Sequence, residues 1–249
     1  MIDTNAWLDA LERRHLANLT RSELTRALRA LSSCYVERRA KLAGGAALEG
    51  AGKRAAFALF YGPLHFLTID ALVRAAGADA LKIDTLVDLG CGTGVGAAAW
   101  ALACRTAPSV TGIDRHAWAV QEANWTYRQL GIQGRARTGD VVRDYPTARS
   151  GRFAILLAYT VNELPEAARS ALLDRIARSM SSGVSVLIVE AIAKRDKDWW
   201  PDWTERLAVV GARSDEWRFP AVLPPILRQI AKGAGLDPRE LTARSIARL

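Results

Sequence analysis

The sequence predicts an α/β fold: a mostly parallel sheet with helices on both faces, preceded by an N-terminal helical extension. Three observations carry that reading. From Ile83 to Glu190, short apolar runs alternate with helix-length segments, the signature of strands joined by crossover helices. The stretch Val87-Asp88-Leu89-Gly90-Cys91-Gly92-Thr93-Gly94-Val95-Gly96 takes an apolar run through alternating glycines into an Ala-rich run, Ala97 to Cys104. That is a strand, a tight turn and a helix start. Before residue 83, leucines recur at helical rather than strand spacing.

The elements follow in order. Leu8, Leu11, Leu16 and Leu19, then Leu24, Leu28 and Leu31, form apolar stripes of two helices within residues 5–42. Thr20-Arg21-Ser22-Glu23 reads as an N-cap with its capping glutamate. The glycine-rich stretch Gly44 to Gly52 is a break. A helix pair split near Gly62-Pro63 runs on to about Gly77. Strands are expected at Leu86–Leu89, Ser109–Ile113, Gln133–Thr138, Phe153–Tyr159 and Val184–Glu190. Helices are expected after the glycine turn to about Arg105, over Ala117–Leu130 and over Pro165–Met180. A charged, aromatic insertion follows, Lys194-Arg195-Asp196-Lys197-Asp198-Trp199-Trp200-Pro201. A helix near Pro224–Lys232 and a late strand near Leu241–Ala247 come last, and whether a further strand completes the sheet is left open. The expected division is residues 1–82 as helical extension or lid and 83–249 as the α/β domain.

Half of the 249 residues are hydrophobic, enough for a sizeable core. No uninterrupted apolar run reaches the roughly 18 residues a membrane span needs. The first residues lack the basic-then-apolar order of a secretion signal. Cys34, Cys91 and Cys104 form no C-x-x-C pair, which argues against a zinc or iron–sulfur centre and fits a reducing, cytoplasmic setting. No metal and no membrane partner are therefore expected. The net charge is +8. It divides as +4 over residues 1–82, +1 over 83–190 and +3 over 191–249, so the excess flanks the α/β core. Such a field attracts a polyanion, RNA first among them.

Ligands of open parallel sheets sit at the carboxyl ends of the strands. Three aspartates stand there. Asp88 ends the first strand and is placed to accept from an amino group. Asp114 ends the second, where a carboxylate grips both hydroxyls of a ribose, with Arg115 beside it. Asp140 follows the third, placed to accept from an adenine amino group, with Val141 beside it. Gly90, Cys91, Gly92 and Gly94 form the loop, its glycines letting backbone approach the ligand. Gly92 to Ala97 also reads as G-x-G-x-x-A, the dinucleotide fingerprint, but the aspartate before the loop and the third acidic strand end argue against it. The fourth strand ends in Ala158-Tyr159-Thr160-Val161-Asn162-Glu163-Leu164-Pro165. Ala158 is a candidate ligand-binding residue, and Tyr159, Asn162 and Glu163 are the candidate catalytic groups: an aromatic face, an orienting amide and a proton acceptor. Asn162 and Glu163 equally suit the cap of the next helix. Tyr61 and His65 are candidate acceptor-side residues. Trp199 and Trp200, beside Lys194, Arg195 and Lys197, read either as base-stacking groups meeting phosphates or as the anchor of a lid.

The run from Leu86 to Glu190, with VDLGCGTG as its first motif, resembles the class I S-adenosylmethionine-dependent methyltransferases, and so a Rossmann-like methyltransferase fold. More narrowly, Leu31 to Arg39, Trp100 and Ala158 to Leu164 resemble the mitochondrial-type small-subunit ribosomal methyltransferase-like family. The first resemblance implies S-adenosyl-L-methionine as cofactor, held by Asp88, Gly90, Gly92 and Gly94, and methyl transfer as the reaction. The second implies RNA or the ribosomal small subunit as partner, and rRNA methylation as the task. Two other expectations stand beside it: a non-catalytic ribosome-assembly factor keeping the fold, and a small-molecule methyltransferase.

Overall fold

The computed structural model describes residues 4–37, 49–147, 152–192 and 199–249. The chain divides into two compact units, Met1–Leu67 with Pro220–Leu241, and Thr68–Phe219 with Thr242–Leu249. The division falls inside a helix, and the first unit groups a late segment with the N-terminal helices.

In the first unit, helix α1 spans Thr4–His15 and α2 spans Arg21–Glu37. The capping box forms as read: the Thr20 N–H donates to Glu23 Oε2 at 2.8 Å, and the Glu23 N–H donates to Thr20 Oγ1 at 3.2 Å. Leu24, Leu28 and Leu31 lie buried along α2. The break at Gly44–Gly52 lies outside the described residues as far as Leu48. Helix α3, Ala51–Ala56, passes through a π turn, Phe57–Tyr61, into α4, Gly62–Ala75. The expected split at Gly62-Pro63 is thus a bulge within one continuous helix. Pro63 has no N–H to donate and its ring crowds the preceding turn; the wider turn, with Gly62 N–H donating to the Phe57 carbonyl, absorbs both. This Ala51–Ala75 stretch is long and apolar enough to cross a bilayer by length and composition, and most of its apolar window is buried inside the protein.

The second unit holds the sheet. Its strands are β1 (Thr85–Leu89), β2 (Ser109–Asp114), β3 (Gly134–Thr138), β4 (Phe153–Ala158), β5 (Ser185–Glu190), β6 (Arg213–Pro220) and β7 (Glu240–Arg248), in spatial order β3-β2-β1-β4-β5-β7-β6. The β1–β2, β2–β3, β1–β4 and β4–β5 pairs are parallel, and β5–β7 is antiparallel. The strand at Arg213–Pro220 was not anticipated. Its sequence, RSDEWRFP, is mostly polar, and only every second residue is partly covered, as an edge strand permits. It completes a sheet of seven strands.

Helices α5 (Val95–Ala103), α6 (Ala117–Gln129), α7 (Glu166–Ser181) and α8 (Trp199–Ala208) cover the sheet. Small residues decide how closely α5 packs: Gly96 to Ala101 are all buried, and Trp100 is fully buried with its indole N–H donating to the Ala78 carbonyl. Asn124 on α6 fixes the edge strand, exchanging hydrogen bonds at 2.9 Å with both backbone groups of Ala136. One continuous core cluster joins the strands with α7 and α8, from Val87 and Ile155 to Leu173, Trp203 and Ile246. The order β3-β2-β1-β4 reverses direction between β1 and β4, so the crevice at their carboxyl ends is the topological switch point.

Candidate active site

At the end of β1 the backbone turns sharply. Gly90, Gly92 and Gly94 all have positive φ (76°, 52° and 78°), and Gly94 is the left-handed N-cap of α5. Their roles differ. A Cβ on Gly90 would lie 2.3 Å from Thr160, and one on Gly94 would lie 2.7 Å from the Tyr127 ring. These two are small because the protein packs against them. A Cβ on Gly92 meets nothing within 4 Å, so Gly92 alone faces open space. The three N–H groups already donate internally: Gly90 to the Ile113 carbonyl at 2.7 Å, Gly92 to Asp114 Oδ2 at 2.9 Å, Gly94 to the Cys91 carbonyl at 2.8 Å. The loop thus supplies shape rather than glycine donors. Cys91 faces inward, its thiol pushed well above its ordinary pKa by burial and by Asp88 and Asp114, and its Sγ lies where a Cβ on Gly112 would meet it at 2.8 Å. It belongs to the turn and presents no side chain to a ligand.

Asp88 is 1% exposed. Its Oδ2 accepts from the Ala97 N–H at 3.2 Å, while Oδ1 is buried with no hydrogen-bond partner among the described residues. Burial, joined by repulsion from Asp114 and opposed by the Ala97 bond, pushes its pKa up to about 7. Asp114 is half-buried. Oδ2 accepts from Gly92 and Oδ1 from the His116 N–H at 2.8 Å, so this carboxylate braces the glycine loop against the end of β2. Arg115 is exposed beside it. Asp140 is exposed, and its Oδ1 accepts from the N–H groups of Val142 and Arg143 at 3.0 and 2.8 Å, the work of a turn cap. Val141 is buried in the core cluster.

At the end of β4 the strand stops at Ala158, one residue earlier than expected, because Tyr159 adopts φ 58°. It is the one non-glycine residue with positive φ among the described residues, a strained conformation for an aromatic side chain. Its N–H donates to the Val189 carbonyl at 2.8 Å, its side chain bonds Thr68, and burial raises its phenol pKa. Thr160 then turns back, donating its hydroxyl to the Gly90 and Ala158 carbonyls, both at 3.2 Å. Asn162 and Glu163 lie in a short turn, Val161–Glu163, ahead of α7. They do not cap α7, whose N-cap is Pro165 without a side-chain bond. The Asn162 N–H donates to Glu190 Oε1 at 3.2 Å, and its Oδ1 accepts from the Trp199 indole at 3.4 Å. Glu163 is half-buried. Burial pushes its pKa up to about 7; Arg115 pulls it down, while Asp114 and Glu190 push it further up.

The structure therefore gathers Asp88, Gly92, Asp114, Arg115, Ala158, Tyr159, Asn162 and Glu163 along the carboxyl ends of β1, β2 and β4. Two residues escaped the sequence reading. Glu190, 3% exposed, ends β5, and the strand-end rule that singled out Asp88 and Asp114 would have found it. Thr160 locks the loop through a contact that no local pattern reveals. Trp199 and Trp200 are each 8% exposed and join the core cluster with Trp203; the Trp200 and Trp203 ring centroids lie 5.4 and 5.0 Å from that of Trp199. Of their two expected roles, the buried anchor fits and the exposed stacking platform does not. Lys194, Arg195 and Lys197 lie outside the described residues. Tyr61 and His65 belong to the first unit, where they form a triangle of rings with Phe57 at 6.2 to 6.4 Å. Tyr61 shares a hydrogen bond with Ser32 at 2.9 Å, and burial lowers the His65 pKa to about 4, leaving it neutral. Among the described residues no group of His, Cys, Asp or Glu is arranged to hold a metal.

Residues 86–183 match the family model of the methyltransferase domain. No curated protein sequence matches the chain. Among solved structures, the mitomycin 7-O-methyltransferase MmcR is similar with a TM-score of 0.54 at 17% identity, over 98% of this chain and 72% of its own. Magnesium protoporphyrin IX methyltransferase (ChlM) from Synechocystis PCC 6803, with bound SAM, gives 0.49 at 18% identity, over 75% of this chain and 80% of its own. A TehB-like SAM-dependent methyltransferase from Corynebacterium glutamicum gives 0.45 at 19%, over 74% and 86%. The fold over nearly the whole chain is thus one shared with a methyltransferase, MmcR. Residues 86–183 of this chain match a methyltransferase domain, and S-adenosylmethionine is the cofactor to set against its site.

The residues present fit that cofactor. It is a cation at its sulfonium and ammonium groups, and the strand ends carry the buried or half-buried carboxylates Asp88, Asp114, Glu163 and Glu190. The orphaned Asp88 Oδ1 lacks the donor that an ammonium supplies. The open space at Gly92 leaves room for a ligand against the backbone.

Proposed function

We propose that this protein transfers a methyl group to a nitrogen or oxygen atom of a small-molecule acceptor, with Glu163 taking the proton. One observation carries the choice of a small molecule: the tryptophans that an RNA reading needs on the surface are packed in the core. The cofactor supplies an electrophilic methyl on a sulfonium. The protein's part is to hold and align. Asp88, Asp114 and the open face of Gly92 hold the cofactor. Asp140 keeps one carboxylate oxygen outside its turn bonds for an adenine amino group. Asn162, fixed by Glu190 and Trp199, orients the acceptor. Glu163, with its pKa near 7, is poised to accept a proton at neutral pH. Tyr159 frames the transfer from its strained turn.

Transfer of labelled methyl groups tests this. Purified protein is given methyl-tritiated S-adenosylmethionine with a panel of phenols, catechols and amines, and in parallel with total RNA. Label in a small molecule, lost in Glu163→Gln, is the expected outcome. Label in RNA alone overturns the reading.

The charge favours a second reading, RNA as substrate, with the ribosomal small subunit as its source. Of the net +8, residues 1–82 and 191–249 carry all but one unit. That reading requires RNA affinity that falls steeply with salt. The matched family model is the general methyltransferase domain and lends the ribosomal resemblance no weight.

A further inference from the structure

Beyond β5, the sheet adds a residue that the proposed reaction has not used. Arg244 on β7 stands directly opposite Glu190 in the antiparallel register, at the same end of the sheet as the candidate catalytic groups. Its guanidinium lies over the Trp200 ring, 3.9 Å from the centroid. A closed circuit results: Asn162 donates to Glu190, Glu190 faces Arg244, Arg244 stacks on Trp200, Trp200 packs on Trp199, and Trp199 donates back to Asn162. Everything in it is held except one edge. Nε and Nη2 of Arg244 are buried and have no hydrogen-bond partner among the described residues. Those two nitrogens share one edge of the guanidinium plane, the edge that meets a carboxylate through two parallel bonds. Burying N–H groups of a charged side chain without an acceptor is unfavourable, so the edge calls for an oxygen pair. Burial disfavours the charge of Arg244, and Glu190, across the ladder, and Glu216, on β6, both favour it without bonding that edge.

We propose that Arg244 binds a carboxylate of the methyl acceptor, so that the small molecule methylated here is an organic acid. The stacking on Trp200 fixes the plane of the guanidinium and hence the direction from which the acid enters. Asn162, one step along the circuit, then orients the atom to be methylated. This inference rests on the methyltransferase reading.

A ligand-observed NMR titration of the full chain, saturated with S-adenosylhomocysteine, tests it with benzoate and its neutral isostere benzamide. Benzoate is expected to bind about tenfold tighter or more, as for a hydrogen-bonded charge pair. Arg244→Gln should abolish that preference while S-adenosylhomocysteine affinity, the control for folding, holds. Should Arg244→Gln not fold, Arg244→Lys decides: it keeps the charge, loses the fork and should retain only part of the preference. Equal binding of benzoate and benzamide to the wild type overturns the proposal, as does a preference that survives in Arg244→Gln. Failure of the wild type to bind S-adenosylhomocysteine overturns instead the reading beneath it.

Discussion

The ends of β1 and β2 and the ends of β4, β5 and β7 form one line across the sheet, yet they are built differently. On the β1–β2 side the backbone makes the site: three glycines in positive φ, a carboxylate bonded to a loop N–H and an orphaned oxygen lie within one short stretch and one strand end. On the β4–β5–β7 side, side chains make it: Asn162, Glu190, Trp199, Trp200 and Arg244, drawn from a turn, two strands and a helix, contact one another, with Glu163 beside Asn162. In the proposed function the first half binds the cofactor, whereas the second faces the acceptor. A backbone-built half is expected to tolerate few substitutions and to fail in folding and cofactor binding. A side-chain-built half is expected to fail in turnover or selectivity while the fold survives.

Four substitutions sharpen that contrast, in falling order of effect. Glu163→Gln should lower kcat on the acceptor roughly 10²–10⁴-fold, the usual worth of a general base, with little change in S-adenosylhomocysteine affinity. The wild-type rate should rise with pH through about 7, where Glu163 ionises. A flat pH profile would remove Glu163 from the proton's path. Gly90→Ala should cost roughly 2–4 kcal/mol of stability in denaturant unfolding, since it adds backbone strain to a collision with Thr160. Asp114→Ala should weaken cofactor binding by roughly 1–3 kcal/mol, through the loss of the brace on Gly92 and of a charged acceptor. Gly92→Ala should cost stability only about 1 kcal/mol, the strain of its positive φ, because its Cβ meets nothing. Any larger loss should appear in cofactor affinity. Equal destabilisation by Gly90→Ala and Gly92→Ala would erase the distinction between a packed and an open glycine.

Asp88 gives the contrast a pH signature. Its folded pKa is raised to about 7, above the ordinary value of 3.8. The folded state therefore holds its proton more tightly than the unfolded state. The stability this contributes is full below about 4 and is lost as pH rises to about 7. A cationic ligand favours the ionised carboxylate, so cofactor binding should release a proton between those limits and tighten with pH. Calorimetry in buffers of different ionisation heat measures that release, and Asp88→Asn should remove it.

The sequence made the backbone-built half readable because its signal is local: a strand, an acid and alternating glycines in one run. It did not reveal that the Gly90 and Gly92 N–H groups are spent internally, since Ile113 and Asp114 are distant in sequence. The side-chain half was readable only where a motif ran through it, at Tyr159 to Glu163. Arg244 became visible only with the β5–β7 register, which no periodicity encodes. The tryptophans of α8 illustrate the limit: their composition suited a stacking surface and a buried anchor equally, and burial distinguished the two. The edge strand β6 was missed because its polar residues leave little apolar pattern to read.

Every role proposed for these residues depends on the β1–β2 crevice binding S-adenosylmethionine. Titration calorimetry with S-adenosylmethionine and S-adenosylhomocysteine, with NAD as the control, tests it most directly. Micromolar binding of both, none of NAD, and marked weakening in Asp114→Ala are the predicted results. Binding of NAD with neither of the others, or affinity for S-adenosylhomocysteine unchanged in Asp114→Ala, would contradict the site as drawn.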